Sequence, residues 1–366
     1  MKKISVVVAL LIVVTLVFAA CGGGNTGTAD TPATDTPQAE TPATSDEPVF
    51  ESGVGAKFVP KEIKDYKDMK LVFDCLDLSN VIWSDLASSF DSTCKENGVQ
   101  YAMVNSNGDA AKQVSNVENY IQSGYDAIAL AAVNVDTIND ICGTAQEKGI
   151  FTYACGYLFD NAHSRLTQDD YENGYMAGEQ AGLWLNEAKA DVSKAKICVL
   201  SMRNSDILIK REQGILDGLK DACKIEYEVV STVDAPSKQD GVNAGETVIV
   251  AHPDLDAVIA VDSSSVAGFC QSLEAKKIPF GQVGAFGVNG EEESMVLMYE
   301  GKYVVATITL GFNTEKGGIM ANTMIKALRG EEYNETDWCE NTVINRDNVE
   351  AMYTRTYPGK NIADAS

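Results

Sequence analysis

Histidine is almost absent from this 366-residue chain: only His163 and His252 occur. That rules out a histidine-rich metal centre and leaves little material for a Ser-His-Asp relay. Basic residues are scarce too. Lys plus Arg number 29 against 53 for Asp plus Glu, a net charge of −24. Binding a polyanion releases counterions only to a basic surface, so no nucleic-acid partner is expected. The chain has no C-x-x-C pair and no G-x-S-x-G turn, and G-A-F-G-V-N-G at 284–290 lacks the G-x-G-x-x-G spacing. N-S-N-G-D at 105–109 alternates oxygen-bearing side chains, but no Glu follows at the calcium-loop distance, so it reads as a turn and helix cap. No cofactor, no metal and no catalytic chemistry are expected. An exported hydrolase using Asp262 or Asp170 as acid or base is the alternative of another class, and nothing pairs a nucleophile with a base to support it.

What is present starts at the N-terminus. Lys2 and Lys3 precede an apolar run, Ile4 to Ala20, broken only by Ser5 and Thr15. This is the pattern of a secretory signal, and it is short for a bilayer span, which needs about 20 residues. The run ends F-A-A-C at Phe18 to Cys21, which resembles the lipobox of bacterial lipoproteins, with Phe18 where Leu is usual. The resemblance implies a signal peptide over 1–20 and a lipid on Cys21. An uncleaved anchor is the alternative, and both readings place the folded part outside the cytoplasm. Residues 21–65 form a linker, rich in Thr, Pro and acids through most of its length and without apolar periodicity, too polar to offset its ordering entropy. Eight further cysteines are scattered about one per element, several in apolar runs, and are expected to be mostly free and buried.

From residue 66 the chain alternates short apolar runs with amphipathic ones. K-L-V-F-D-C at 70–75, A-I-A-L-A-A at 127–132 and K-I-C-V-L-S-M at 196–202 read as strands; Leu86, Phe90 and Cys94 share one helix face. Asp109 is placed to cap the next helix. Continuous apolar strands separated by helices imply parallel sheets covered on both faces. The chain length gives a prior of about two domains, and about nine strands fit two doubly wound α/β lobes better than one. Ligands of such sheets sit beyond the carboxyl ends of the strands, so the loops at Asp77–Trp83, Asn105–Asp109, Cys155–Asp160, Arg203–Asp206, Asp262–Ser265 and Gly287–Asn289 are the candidate site.

A-H-P-D-L-D-A-V-I-A-V-D at 251–262 resembles the H-P-D-x-x-A-V segment of the ribose-binding class of periplasmic sugar-binding proteins. L-S-N-V-I-W at 78–83, Q-S-G-Y-D-A-I-A-L-A-A at 122–132, D-D-Y-E-N-G-Y-M-A-G at 169–178, K-R-E-Q-G-I at 210–215, V-V-A-T-I-T at 304–309 and I-K-A-L-R-G-E at 325–331 resemble other pieces of that family, in the same order, over about 66–345. The resemblance implies two lobes joined by three crossovers, 66–168 plus 311–338 and 169–310 plus 339–366. It implies a monomeric extracytoplasmic solute-binding protein that closes on a small molecule and delivers it to an ABC transporter permease. A sensory role for the same protein is the alternative.

The ligand residues expected from the loops and the resemblance are Asn80, Trp83, Asn107, Tyr157, Asp170, Arg203, Asp262, Phe286, Asn289 and Phe312. Trp83 is read either as a face for a sugar ring or as lobe-interface packing, and Asp262 either as a ligand contact or as a helix N-cap. Four positions depart from the family. Its Asp-Arg pair after strand four is Ala154-Cys155, an Arg is Ile209, an Asp is Gly287, and a late Gln falls near Leu310. Those groups hold pentose and hexose hydroxyls in the family. Their loss points from ribose towards a modified sugar, a nucleoside or another small cyclic ligand.

Overall fold

The computed structural model describes residues 55–203 and 205–366. The segment read as a signal sequence, Cys21 and most of the segment read as a linker lie outside the described residues. The chain first builds β1 (Lys70–Cys75), α1 (Val81–Asn97), β2 (Gln100–Asn105), α2 (Ala110–Gln122), β3 (Ala127–Leu130), α3 (Val135–Glu147), β4 (Phe151–Cys155) and β5 (Ser164–Thr167). It then builds α4 (Asp170–Ala188), β6 (Ala195–Ser201), α5 (Asp206–Ala222), β7 (Tyr227–Asp234), α6 (Lys238–Ala251), β8 (Ala257–Ala260), α7 (Ser263–Ala275), β9 (Gly284–Asn289), α8 (Glu292–Tyr299) and β10 (Val304–Thr309). Last come α9 (Asn313–Leu328), β11 (Thr336–Trp338), β12 (Val343–Asn345) and α10 (Val349–Thr356).

The strands form two six-stranded sheets, ordered β11-β5-β4-β3-β1-β2 and β12-β10-β9-β8-β6-β7. Every pairing between them is parallel except β10 with β12. The chain passes between sheets three times: from β5 to α4, from β10 to α9 and from β11 to β12. This is the expected pair of doubly wound lobes with a three-stranded hinge.

The apolar strand runs follow from burial on both faces. In β1, Leu71, Phe73 and Cys75 pack with Phe90 of α1 and Met320 and Met324 of α9. Val72 between them packs on the other face, with Val117 of α2 and Ile138 of α3. The second lobe repeats the arrangement. Ile259 and Phe286 meet Ala181 and Ile215 of α4 and α5, while Val258 and Ala260 meet Phe269 and Val248 of α7 and α6. Asp109 caps α2, its carboxylate accepting from the Lys112 N–H at 3.0 Å. The eight cysteines of the body are free, and all but Cys223 are buried. Burial pushes the Cys75 thiol up to about 11 and those of Cys94 and Cys198 up to about 12.

The helix pair α4–α5 is packed through glycine. Gly174, Gly178 and Gly182 recur every fourth residue on α4, and Gly214 and Gly218 do so on α5. A Cβ at Gly178 would run into the Ile215 carbonyl, and one at Gly218 into the Tyr175 carbonyl. The backbones therefore touch, as small residues at such spacing allow. Gly317 of α9 meets the Leu86 carbonyl of α1 in the same way.

Before β1, Phe58 inserts beside Phe151, 5.1 Å between ring centres, and its N–H donates to Tyr333 Oη at 3.3 Å. Lys64 pairs with Asp126 at 2.7 Å. Asp126 and Phe151 stand at the starts of β3 and β4, so this strap lies on the first lobe at the end away from the carboxyl ends of its strands.

Candidate ligand-binding cleft

A cavity of about 480 Å³ lies at the carboxyl ends of β4 and β5 of the first sheet and is reached from the second lobe by the starts of α4 and α5. That volume lies within the roughly 300–1,000 Å³ usual for small-molecule sites. The first lobe contributes Ile82 and Trp83 from the start of α1, Val135 from the start of α3, Tyr157 from the loop after β4, and Lys316 from the first turn of α9. The second contributes Asp170 and Ile207, the opening residues of α4 and α5. Gln168 and Asn313, beside two of the crossovers, complete the polar lining. Ile82, Val135, Tyr157 and Ile207 are exposed, as the walls of an open cleft are.

Of the residues expected from sequence, Trp83, Tyr157 and Asp170 line this cavity. Trp83 is half-buried and leans on the first lobe's core, so both readings of it describe part of its surface. Asn80 caps α1, accepting from the Ile82 N–H at 2.9 Å, which sets the helix start that carries Trp83. Asn107 is exposed in a left-handed turn (φ 53°), its N–H bonded to Asn105 Oδ1. Arg203 is largely exposed and forks onto Glu212, with Nε 3.0 Å and Nη2 2.5 Å from its oxygens. That hydrogen bond holds the Glu212 carboxyl below its usual range.

Asp262 and Asn289 join Asp170 in a network organised by a residue the sequence reading passed over. The Arg211 side chain is 4% exposed and pairs with Asp170 through Nε (3.1 Å) and Nη2. Its Nη1 donates to the Val261 carbonyl at 2.7 Å and to Asn289 Oδ1 at 3.1 Å. Asn289 Nδ2 donates in turn to Asp262 Oδ2 at 3.1 Å, and Asp262 Oδ1 caps α7 by accepting from the Ser265 N–H at 2.9 Å. Burial, reinforced by the nearby Asp262 charge, raises the Glu291 carboxyl at the same end of β9. The N-cap reading of Asp262 is the geometry observed. Arg211 sits in K-R-E-Q-G-I, and an Arg on a helix face otherwise apolar was the available signal.

Three expectations are corrected. Phe286 is fully buried in central strand β9, with its ring against Trp184 (5.9 Å between centres), because a strand covered on both faces has no cleft-facing side in its middle. Phe312 is also buried, and its ring lies 3.8 Å beneath the Arg355 guanidinium. Gly287–Asn289 is not a loop but the end of β9. Lys316, Gln168, Asn313, Ile82, Val135 and Ile207 were missed. They gather at the cleft only once helix starts and crossovers from distant parts of the chain are brought together.

Ala154 and Cys155 end β4 fully buried, so no charged pair projects from that strand. The cavity floor instead carries the Cys155 and Cys339 thiols, and burial pushes Cys155 up to about 12. Among the described residues no cluster of His, Cys, Asp and Glu could hold a metal ion.

Two α/β lobes, a three-stranded hinge and a polar-edged aromatic cleft between them define a hinge-closing binding protein. The chain belongs to the periplasmic binding protein domain family, whose pattern it matches over residues 73–332. It is 20% identical over 252 residues to the ABC transporter periplasmic-binding protein YphF of Escherichia coli strain K12, covering 66% of this chain and 75% of that one. It is 23% identical over 250 residues to the D-xylose-binding periplasmic protein of Haemophilus influenzae, covering 66% and 72%. Among solved structures it resembles a Bacillus halodurans ABC transporter solute-binding protein with bound myo-inositol, at a TM-score of 0.60, 19% identity, and 80% and 99% coverage.

Proposed function

We propose that this protein captures a small sugar or sugar-like solute outside the cytoplasm, closes its lobes on it and delivers it to an ABC transporter permease, while a lipid on Cys21 holds it to the membrane. The carrying observation is the cleft itself: Trp83 and Tyr157 on one lobe oppose Asp170 and Ile207 on the other, across a cavity of monosaccharide scale. An indole face suits the C–H face of a ring, and polar groups at the crossovers suit hydroxyls. Relatives named for D-xylose and ribose agree with this class of ligand. Asn80 acts here by fixing the start of α1, and Asp262 and Asn289 by fixing the Arg211 network behind Asp170. With Ala154 and Cys155 in place of a charged pair, ribose is expected to bind weakly.

Calorimetry against pentoses, hexoses and nucleosides tests the reading, with mass spectrometry of any molecule released on denaturation. A bound solute of this class supports it, while a folded protein that binds none and releases none overturns it. Cys21→Ser is expected to leave the precursor unprocessed or free it from membranes. A variant processed and retained like the parent overturns the anchor.

A further inference from the structure

Among the described residues, two side chains lining the cleft are charged at neutral pH, Asp170 and Lys316. Asp170 is already neutralised, held through two nitrogens of the buried Arg211. Lys316 is not. Its Nζ donates to Asn313 Oδ1 at 3.0 Å and forms no ion pair with any described residue. Lys316 is half-buried, with its stem across Gly311 (Cε 3.5 Å from where a Cβ there would stand) and Cys155 and Cys339 in the same lining. The nearest acid in sequence, Glu315, is taken up by a two-point pair with Arg355 at 2.7 and 2.8 Å. The cleft thus presents one uncompensated positive charge in a chain whose net charge is −24.

We infer that the ligand is a ring compound bearing one carboxylate, in the manner of a sugar acid, and that Lys316 receives that carboxylate. This rests on the solute-capturing reading above and narrows its ligand class. Half-buried charges are costly unless paired, and a ligand anion pairs this one upon closure. A single ammonium suits a monoanion. A phosphate dianion calls for a guanidinium fork or several cations, whereas the lining holds no arginine and Arg211, which touches the lining residue Asp170, is committed to that carboxylate. The rest of the molecule meets Trp83, Ile82, Val135 and Ile207, so the charge sits at one end of a body with an apolar face. Lys316 then discriminates between the acid and the neutral sugar of the same ring, because only the acid relieves its charge.

The test is calorimetry with D-glucuronate and D-galacturonate beside D-glucose and D-galactose, on the native protein and on Lys316→Gln, together with mass spectrometry of any molecule released from the native protein on denaturation. The expected result is a released acid, or a uronate bound roughly tenfold or more tightly than its neutral sugar, the preference weakening with salt and disappearing in Lys316→Gln. Lys316→Gln removes the Asn313 contact and the end of the stem over Gly311, and circular dichroism checks that the variant is folded. A neutral released molecule, a neutral sugar bound as tightly as its acid, or an acid preference that survives Lys316→Gln overturns the carboxylate inference and leaves solute capture standing. No binding of any of the four overturns the carboxylate inference, and solute capture falls with it when no molecule is released and the pentoses, other hexoses and nucleosides also fail to bind.

Discussion

The edge of the Trp83 indole stands over Gly156, so close that a Cβ at residue 156 would lie 2.5 Å from Trp83 Cη2. Gly156 also has φ of 76°, a conformation that side chains rarely adopt. Backbone and ring therefore fix one another, and the loop after β4 sets the angle of the cleft's principal aromatic wall. Gly156→Ala is expected to displace the indole and weaken ligand binding about tenfold or more, the loss of roughly 1.4 kcal/mol. Ligand-dependent tryptophan fluorescence reads this, and Trp83→Phe should remove most of the signal. Trp184 is packed inside the second lobe, but Trp338 is exposed beside the third crossover and supplies whatever hinge-linked change remains.

Arg211→Met should be among the most damaging substitutions outside the core. It leaves the Asp170 carboxylate, 12% exposed, without its partner and frees the Val261 carbonyl and Asn289. Removing one member of a buried pair costs about 3–5 kcal/mol. A fall of that size in the unfolding free energy read from denaturant titration is expected, with partial recovery when Asp170→Asn is added. Unchanged stability would show the network to be decorative.

Gly178→Ala is predicted to destabilise by about 3 kcal/mol, although in an isolated helix the same change stabilises by about 1 kcal/mol. The reversal of sign comes from contact with the Ile215 carbonyl, which leaves no room for a methyl group. Thermal melting of the variant decides between propensity and packing.

His163 supplies a pH dependence. Its ring stacks on Phe151, 5.3 Å between centres, and its Nδ1 accepts the Thr152 N–H at 3.0 Å. Burial lowers its pKa to about 4, from the usual value near 6.5. Its contribution is complete above pH 6.5 and is lost as pH falls towards 4, because the unfolded chain takes up the proton first. The full effect is about 3 kcal/mol. His163→Gln should flatten the stability slope between pH 7 and pH 5, and an unchanged slope would place the acid sensitivity elsewhere.

The lobes were readable because parallel strands buried on both faces write themselves as unbroken apolar runs. Lys70–Cys75 is both the run and the strand. The strands that were missed, β5, β11 and β12, are three or four residues long and partly exposed, so Ser164–Thr167 and Thr336–Trp338 carry no such run. The site was less readable for a related reason. Trp83 and Asp170 stand near helix starts with recognisable caps at Asn80 and Asp169. Lys316 belongs to a helix capped by no side chain, in a segment whose apolar pattern speaks only of packing. That it pairs with no acid among the described residues is a fact of three dimensions, with Glu315 turned to Arg355.

The Phe58 strap finds its partners Phe151, Tyr333 and Asp126 on the first lobe. A pull applied along residues 55–66 is therefore taken up through Phe58 and Lys64, at the pole of the first lobe that lies away from the cleft.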